Sequence, residues 1–214
     1  DGGKKYPLHR GIEFAGNNIL LLTDADCKPV SDQWLNHIAR HFNDEVEIVL
    51  GYSSFGKTFS LFNYFARCDG LFTGLQYLSM AIAGFPYMGV GRNLAYKKSL
   101  YGAMGGFDSH RNILSGDDDL FVNKAATRFN TRIEPGKIAQ TVSAAKLNFK
   151  KWFTQKRRHT STGRYYKAHD LAILGALQIS ILLFYPSLVL LLYSGYMLFS
   201  VLALTAIRFY SHYL

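Results

Sequence analysis

The chain has 214 residues, with 24 Lys and Arg against 15 Asp and Glu, a net charge of +9, 49% apolar and 15% aromatic content. That is long enough for one sizeable domain plus an appendage, and too apolar for a disordered chain. The excess of positive charge favours an anionic partner: a membrane surface, a phosphate-bearing substrate or nucleic acid. Two cysteines, Cys27 and Cys68, are too few for a disulfide framework or a cysteine metal site, so a reducing compartment is the natural assumption and Cys27 is read as a packing residue.

Lys4 to Ala15 reads as a helix, with Leu8, Ile12 and Ala15 at helical spacing and Pro7 in its first turn. Lys4 and Lys5 near its start are either surface lysines or a phosphate contact. No signal peptide is visible ahead of it. An α/β nucleotide-binding unit ordinarily has earlier strands, so the chain is expected to be a fragment lacking an amino-terminal portion.

Next comes an unbroken apolar run, Ile19 to Leu22, closed by Asp24 and Asp26. Four apolar residues between polar ones fit a strand buried on both faces. Side chains at i and i+2 of an extended segment point the same way, so the two carboxylates can aim at one point beyond the strand's carboxyl end. Ligands of open α/β sheets sit there. Two like charges need a cation, and Mg²⁺ or Mn²⁺ is the hard ion that takes a carboxylate or two plus substrate phosphates. The plain alternative is a solvated turn. A helix from Asp32 to Phe42 follows, with Ser31 as its N-cap; its His37 and His41 are read as surface residues.

Val46 to Leu50 is a second strand. It leads into Gly51-Tyr-Ser-Ser-Phe-Gly56-Lys57-Thr58, which satisfies the phosphate-loop pattern and makes a nucleotide hydrolase the rival reading. Such an enzyme needs an apolar strand ending in a magnesium-binding Asp, and the only good candidate, Ile19 to Asp24, comes before the loop. Phe59 to Ala83 is expected to be a mostly apolar helical region broken at Gly70 and Gly74. Gly89-Val-Gly91-Arg92-Asn93, ahead of a strand-like segment, suggests close approach of backbone to something.

Ser115-Gly116-Asp117-Asp118-Asp119 opens a helix expected to run from Asp117 to Arg128. Adjacent carboxylates raise each other's pKa, and a helix N-terminus favours them. The arrangement suits either an ordinary acidic first turn or a general base in a cleft. Lys146 to Lys167 then interleaves basic and aromatic residues, which fits single-stranded nucleic acid or a bilayer headgroup region. From Leu171 to Ile207 there is no charged residue, well beyond the ~20 apolar residues of one membrane helix. That decides for the membrane and against nucleic acid. One or two passes, turning around Pro186 to Tyr196, fit the run, with the basic side cytoplasmic.

Taken in order, Lys4, Asp24-Ala-Asp26, Gly91-Arg92-Asn93 with Tyr96, Gly116-Asp117-Asp118, Gln155-Lys-Arg-Arg158-His159 and the apolar run resemble the membrane-bound family 2 glycosyltransferases, relatives of cellulose and hyaluronan synthases. The resemblance implies an α/β, GT-A (Rossmann-like) fold: residues 1–145 a partial catalytic domain, 146–169 a basic amphipathic interfacial segment, and 170–214 transmembrane. It implies inverting transfer from a nucleotide-diphospho-sugar to a hydroxyl acceptor, lipid-linked or polysaccharide, with a divalent cation. Asp24 and Asp26 match the metal and donor-diphosphate motif. Asp118 matches the catalytic base, with Asp117 beside it. Lys4, Gln155 and Arg158 fall to the donor side, and Gly91, Arg92, Asn93 and His159 to the acceptor and donor pocket. His159 stands where the family has Trp. A third reading is a non-catalytic membrane scaffold retaining a degenerate transferase domain.

Overall fold

The computed structural model describes residues 4–113, 115–194 and 198–211. Two compact units divide the chain, Asp1–Lys167 and Ala168–Leu214.

The first unit begins with α1, Lys5–Phe14, followed by β1, Ile19–Leu22, and β2, Cys27–Pro29. Helix α2 covers Trp34–Ala39, with Gln33 and not Ser31 as its N-cap; the Ser31 hydroxyl instead accepts from the Gln33 N–H, closing a local turn. Then come β3, Ile48–Gly51, β4, Ser53–Phe55, and α3, Leu61–Ile82. Strand β5, Leu94–Lys97, leads into α4, Lys98–Ala103, and α5, Asp119–Ala125. Strands β6, Thr131–Glu134, and β7, Thr141–Ser143, precede α6, Phe149–Thr160.

The main sheet has the order β1-β5-β3-β6, with β5 antiparallel to both neighbours and β3 parallel to β6. Period-two alternation on β3 and β5 sorts the core. Val49 and Ala95 pack with Ile38, Val46 and Ala139 under α2. The other face carries Ile48, Leu50, Leu94 and Tyr96, all buried, and the Tyr96 ring meets Phe121 of α5 at 4.7 Å between centroids. Strand β1 is not buried on both faces as expected. It pairs with β5 alone among the described residues, so Ile19 is exposed and only Leu20 is buried.

A second, three-stranded sheet has the order β2-β7-β4. It disposes of the phosphate-loop pattern. Gly51 closes β3, and Ser53–Phe55 is an extended strand parallel to β7, so no loop of converging N–H groups forms. The following helix starts at Leu61, capped by Ser60, leaving Lys57 and Thr58 ahead of it and exposed.

Helix α3 runs without a break through Gly70 and Gly74, against expectation. The glycines serve packing. A Cβ at Gly74 would stand 2.4 Å from the Tyr52 ring and one at Gly70 3.1 Å from Phe55, so α3 lies on Tyr52 at a distance only glycine allows and close against Phe55. Tyr77 then donates its hydroxyl to the Gly51 carbonyl at 2.7 Å. Helix α6, capped by Asn148, sets Phe149 and Trp152 against Phe62 and Phe65 of α3 in edge-to-face contacts of 5.4–5.9 Å. Lys156 adds a bidentate bond to Asp69 at 2.8 and 2.9 Å. The basic segment thus belongs to the first unit. Large apolar side chains remain exposed on both helices, among them Leu61, Tyr64, Phe72, Phe149 and Phe153.

In the second unit, α7 spans Ala168–Ser194 through Pro186, and α8 spans Leu198–Ser211. Among the described residues only α7 is long and apolar enough to cross a membrane; at 1.5 Å per residue it reaches about 40 Å, beyond a ~30 Å hydrocarbon core. The turn between two passes expected around Pro186 to Tyr196 is not found up to Ser194, where α7 continues through Pro186; residues 195–197 lie outside the described residues.

Candidate functional site

The carboxyl end of β1 and the amino end of α5 bring the two acidic motifs into one electrostatic cluster. Lys4, the N-cap of α1, donates to Asp24 Oδ1 at 2.8 Å. Burial opposes its charge, but Asp24, Asp117 and Asp118 outweigh that and hold the ammonium above its ordinary pKa. Asp117 and Asp118 are raised above the usual carboxylate range, first by burial and then by their acidic neighbours, with Asp24 also acting on Asp117. Asp26 accepts from Ser143 Oγ at 3.3 Å and from the Cys27 thiol at 3.6 Å. The Cys27 thiol is pushed up, first by burial and then by Asp26, which suits a packing residue and not a nucleophile.

Asp118 is oriented by two backbone N–H groups. As N-cap of α5 its Oδ1 accepts from the Asp119 N–H at 2.8 Å, and its Oδ2 from the Gly91 N–H at 2.7 Å. Gly91 lets that loop come close: a Cβ there would lie 3.3 Å from Asp118 Oδ2. Gly116, with φ +97°, takes the left-handed turn before the acids, and a Cβ on it would strike Leu120.

Two devices that hold this cluster were not read from the sequence. The first is Lys5. It is 3% exposed, and its Nζ donates to the carbonyls of His110, Ile113 and Ser115 at 2.7, 2.5 and 2.8 Å. It gathers the loop that carries the acidic motif. The signal was present: Lys5 lies at i−3 from Leu8 and i−7 from Ile12, on the buried stripe of α1. The second is Asp119, 5% exposed. It accepts from the Thr162 hydroxyl and, at 2.9 Å, from Tyr166, tying the end of α6 to the start of α5. Burial raises its pKa while these hydroxyls pull the other way.

That tether sets His159 beside the acids. Burial lowers its pKa and Asp118 works to raise it, with Arg158, Asp117 and Arg92 also in range. Gln155 and Arg158 line a shallow cavity of about 410 Å³ along α6 with Lys150, Lys151 and Thr154. None of Asp24, Asp26, Asp117 and Asp118 lines that cavity; Arg158 and Asp118 are linked only by the charge that each exerts on His159. A larger cavity of about 950 Å³ lies between α1 and residues 101–111, and of the residues given a functional reading above only Lys5 lines it. Two expectations are corrected. Asn93 is fully buried, its amide donating to Tyr52 and Ala139 carbonyls and accepting from Trp34 Nε1; it is scaffold, not pocket wall. His41 is no free surface residue: with Arg40 it binds the buried Glu134, each at 2.9 Å.

Among solved structures, the chain is similar to the mannosyltransferase PcManGT from Pyrobaculum calidifontis in complex with GDP-Man and Mn²⁺, with a TM-score of 0.52 and 20% identity. The fold is shared with a mannosyltransferase. The likeness covers 74% of this chain and 41% of that one, so the chain spans less than half of the neighbour's length. No family profile and no curated protein matches the sequence.

Among the described residues no group of three or more His, Cys, Asp or Glu side chains could enclose a metal. Asp24 and Asp26 lie on a turn closed by the Cys27 N–H on the Asp24 carbonyl at 3.0 Å, not on the extended segment expected, and already have Lys4 and Ser143 as partners; two such carboxylates would suit only an ion that takes its remaining ligands from water and a diphosphate.

Proposed function

We propose that the chain is part of a membrane-anchored, inverting glycosyltransferase of the GT-A type, moving a sugar from a nucleotide-diphospho-sugar to a hydroxyl acceptor, lipid-linked or polysaccharide, at the cytoplasmic face. The observation that carries this reading is the acidic cluster of Asp24, Asp117 and Asp118 around Lys4, on a fold shared with a sugar-transferring protein.

In this reading Asp118 is the base. Its orientation is set by two N–H donors, and burial makes it more basic than an ordinary aspartate. It takes the proton of the acceptor hydroxyl as that oxygen attacks the anomeric carbon from the side opposite the diphosphate. The bond to the diphosphate breaks with its electron pair on the departing oxygen, and the proton ends on Asp118. Asp24 and Asp26 would hold a divalent ion that offsets charge on the leaving group. Lys4, bonded to Asp24, and Arg158 on α6 would supply fixed positive charge to the leaving group. Exposed aromatics on α3 and α6, lysines along α6 and the apolar helix α7 support a bilayer-surface location.

The test is nucleotide binding with and without Mn²⁺. Asp26→Ala should lose the metal-dependent part, while Lys57→Ala should change nothing. Unaltered metal dependence in Asp26→Ala would remove this residue from the ligand set, and loss of binding in Lys57→Ala would revive the phosphate-loop reading.

A further inference from the structure

Arg92 and Lys146 share one aromatic ring and no counter-charge. The Arg92 guanidinium carbon lies 4.6 Å from the Phe55 centroid, and Lys146 Nζ 5.3 Å from it. Cation–π attraction to one ring is weak, and two like charges on it repel. Among the described residues neither cation forms an ion pair, and Arg92 NH1 is buried without a hydrogen-bond partner. A buried guanidinium N–H left unpaired is costly unless something anionic meets it.

The place is built rigidly. Phe55 belongs to β4 and lies against Gly70 of α3, so the ring cannot drift that way. The Arg92 backbone is pinned by Thr23 and Thr141, whose hydroxyls donate to its carbonyl at 3.2 and 2.9 Å. The Arg92 charge also reaches Cys27, next to Asp26, and His159 on α6. Its charge is therefore felt both at the stretch that carries Asp26 and on the basic helix.

We propose that Arg92 and Lys146, steered by Phe55, form a seat for a phosphate ester, separate from the Asp24–Asp26 pair. A planar fork beside a point charge matches phosphate oxygens. The proposal rests on the glycosyltransferase reading, in which the phosphate comes either from the donor's diphosphate or from a phosphate-linked lipid acceptor.

The experiment measures binding to the full chain in nanodiscs, with EDTA present so that no metal site contributes. The probes are inorganic pyrophosphate, a nucleoside diphosphate, and nanodiscs doped with a long-chain polyprenyl phosphate. Arg92→Gln and Lys146→Gln, checked for native circular dichroism, should each weaken pyrophosphate binding about 10–100-fold, the range for losing a charge-assisted hydrogen bond. Arg92→Lys should fall between wild type and Arg92→Gln. Loss shared by pyrophosphate and the nucleotide but not the polyprenyl phosphate assigns the seat to the donor, and loss shared by pyrophosphate and the polyprenyl phosphate but not the nucleotide assigns it to the acceptor. Pyrophosphate binding unchanged within about twofold in both folded variants would overturn the seat. Because no metal is present, that failure would leave the Asp26 test standing, and failure of the Asp26 test would leave this result interpretable.

Discussion

Lys5→Met replaces a buried ammonium by an apolar chain of similar reach. In the native fold Lys5 Nζ serves three carbonyls, those of His110, Ile113 and Ser115, all within 2.8 Å. Hydrogen bonds to a charged group are each worth ~1.5–3 kcal/mol, and a buried carbonyl left without a donor costs ~1–3 kcal/mol. Against this stands the relief of no longer burying a charge, which already lowers the Lys5 pKa. The balance is a loss of roughly 3 kcal/mol, since water can replace some of the lost donors. For a unit of this size that is a fall of about 6–12 °C in Tm. Thermal unfolding in detergent or nanodiscs reads the global effect. Hydrogen exchange reads the local one, and protection should fall first around residues 108–119, because that loop is what Lys5 gathers. A Lys5→Met protein that melts within 1–2 °C of wild type, with unchanged protection there, would refute the claim that Lys5 supports the acidic motif.

His110 gives a pH dependence with a definite sign. It is 6% exposed, and burial, helped by Lys5, lowers its pKa to about 4. The unfolded chain therefore binds a proton near pH 6.5 that the native state refuses until about pH 4, so stability falls as pH drops through that window, by up to about 3 kcal/mol. The raised carboxylates of Asp117, Asp118 and Asp119 act in the opposite direction, so the wild-type-minus-His110→Gln difference isolates the histidine; a difference that stays flat from pH 7 to 4 would remove the burial argument. Gly74→Ala forces a Cβ to within 2.4 Å of the Tyr52 ring and should cost ~1–3 kcal/mol by overpacking, read as a shift in denaturation midpoint. A stabilised Gly74→Ala protein would mean that α3 is free to move off Tyr52.

Much of the fold was legible where periodicity and burial agree. The helix at Lys5–Phe14 and the strands at Ile19–Leu22 and Ile48–Gly51 stand close to where apolar spacing places them. The second sheet was not legible, because β2, β4 and β7 are three residues each, rich in Ser, Thr, Lys and Pro, and exist only through pairing with each other. Helix α3 defied its glycines because local propensity, worth about 1 kcal/mol per Gly, is outweighed by close packing on Tyr52 and Phe55. Within the site, Asp24, Asp117 and Asp118 announce themselves as carboxylates with no apolar role. Lys5, Asn93 and Asp119 were misread or missed for one common reason: a polar residue in a sequence looks exposed until its hydrogen-bond partners, some far along the chain, come into view.

The central claim is that Asp118 takes the acceptor's proton. Asp118→Asn keeps the size of the side chain and an oxygen for one of the two N–H donors at Gly91 and Asp119, so the fold and metal-dependent donor binding should persist. The decisive measurement is sugar transfer from a radiolabelled nucleotide-sugar by the full-length protein and its Asp118→Asn variant, with donor affinity measured on the same preparations. Transfer lower by ~10²–10⁴ with donor affinity retained is the result this account predicts; wild-type transfer by the variant would contradict it.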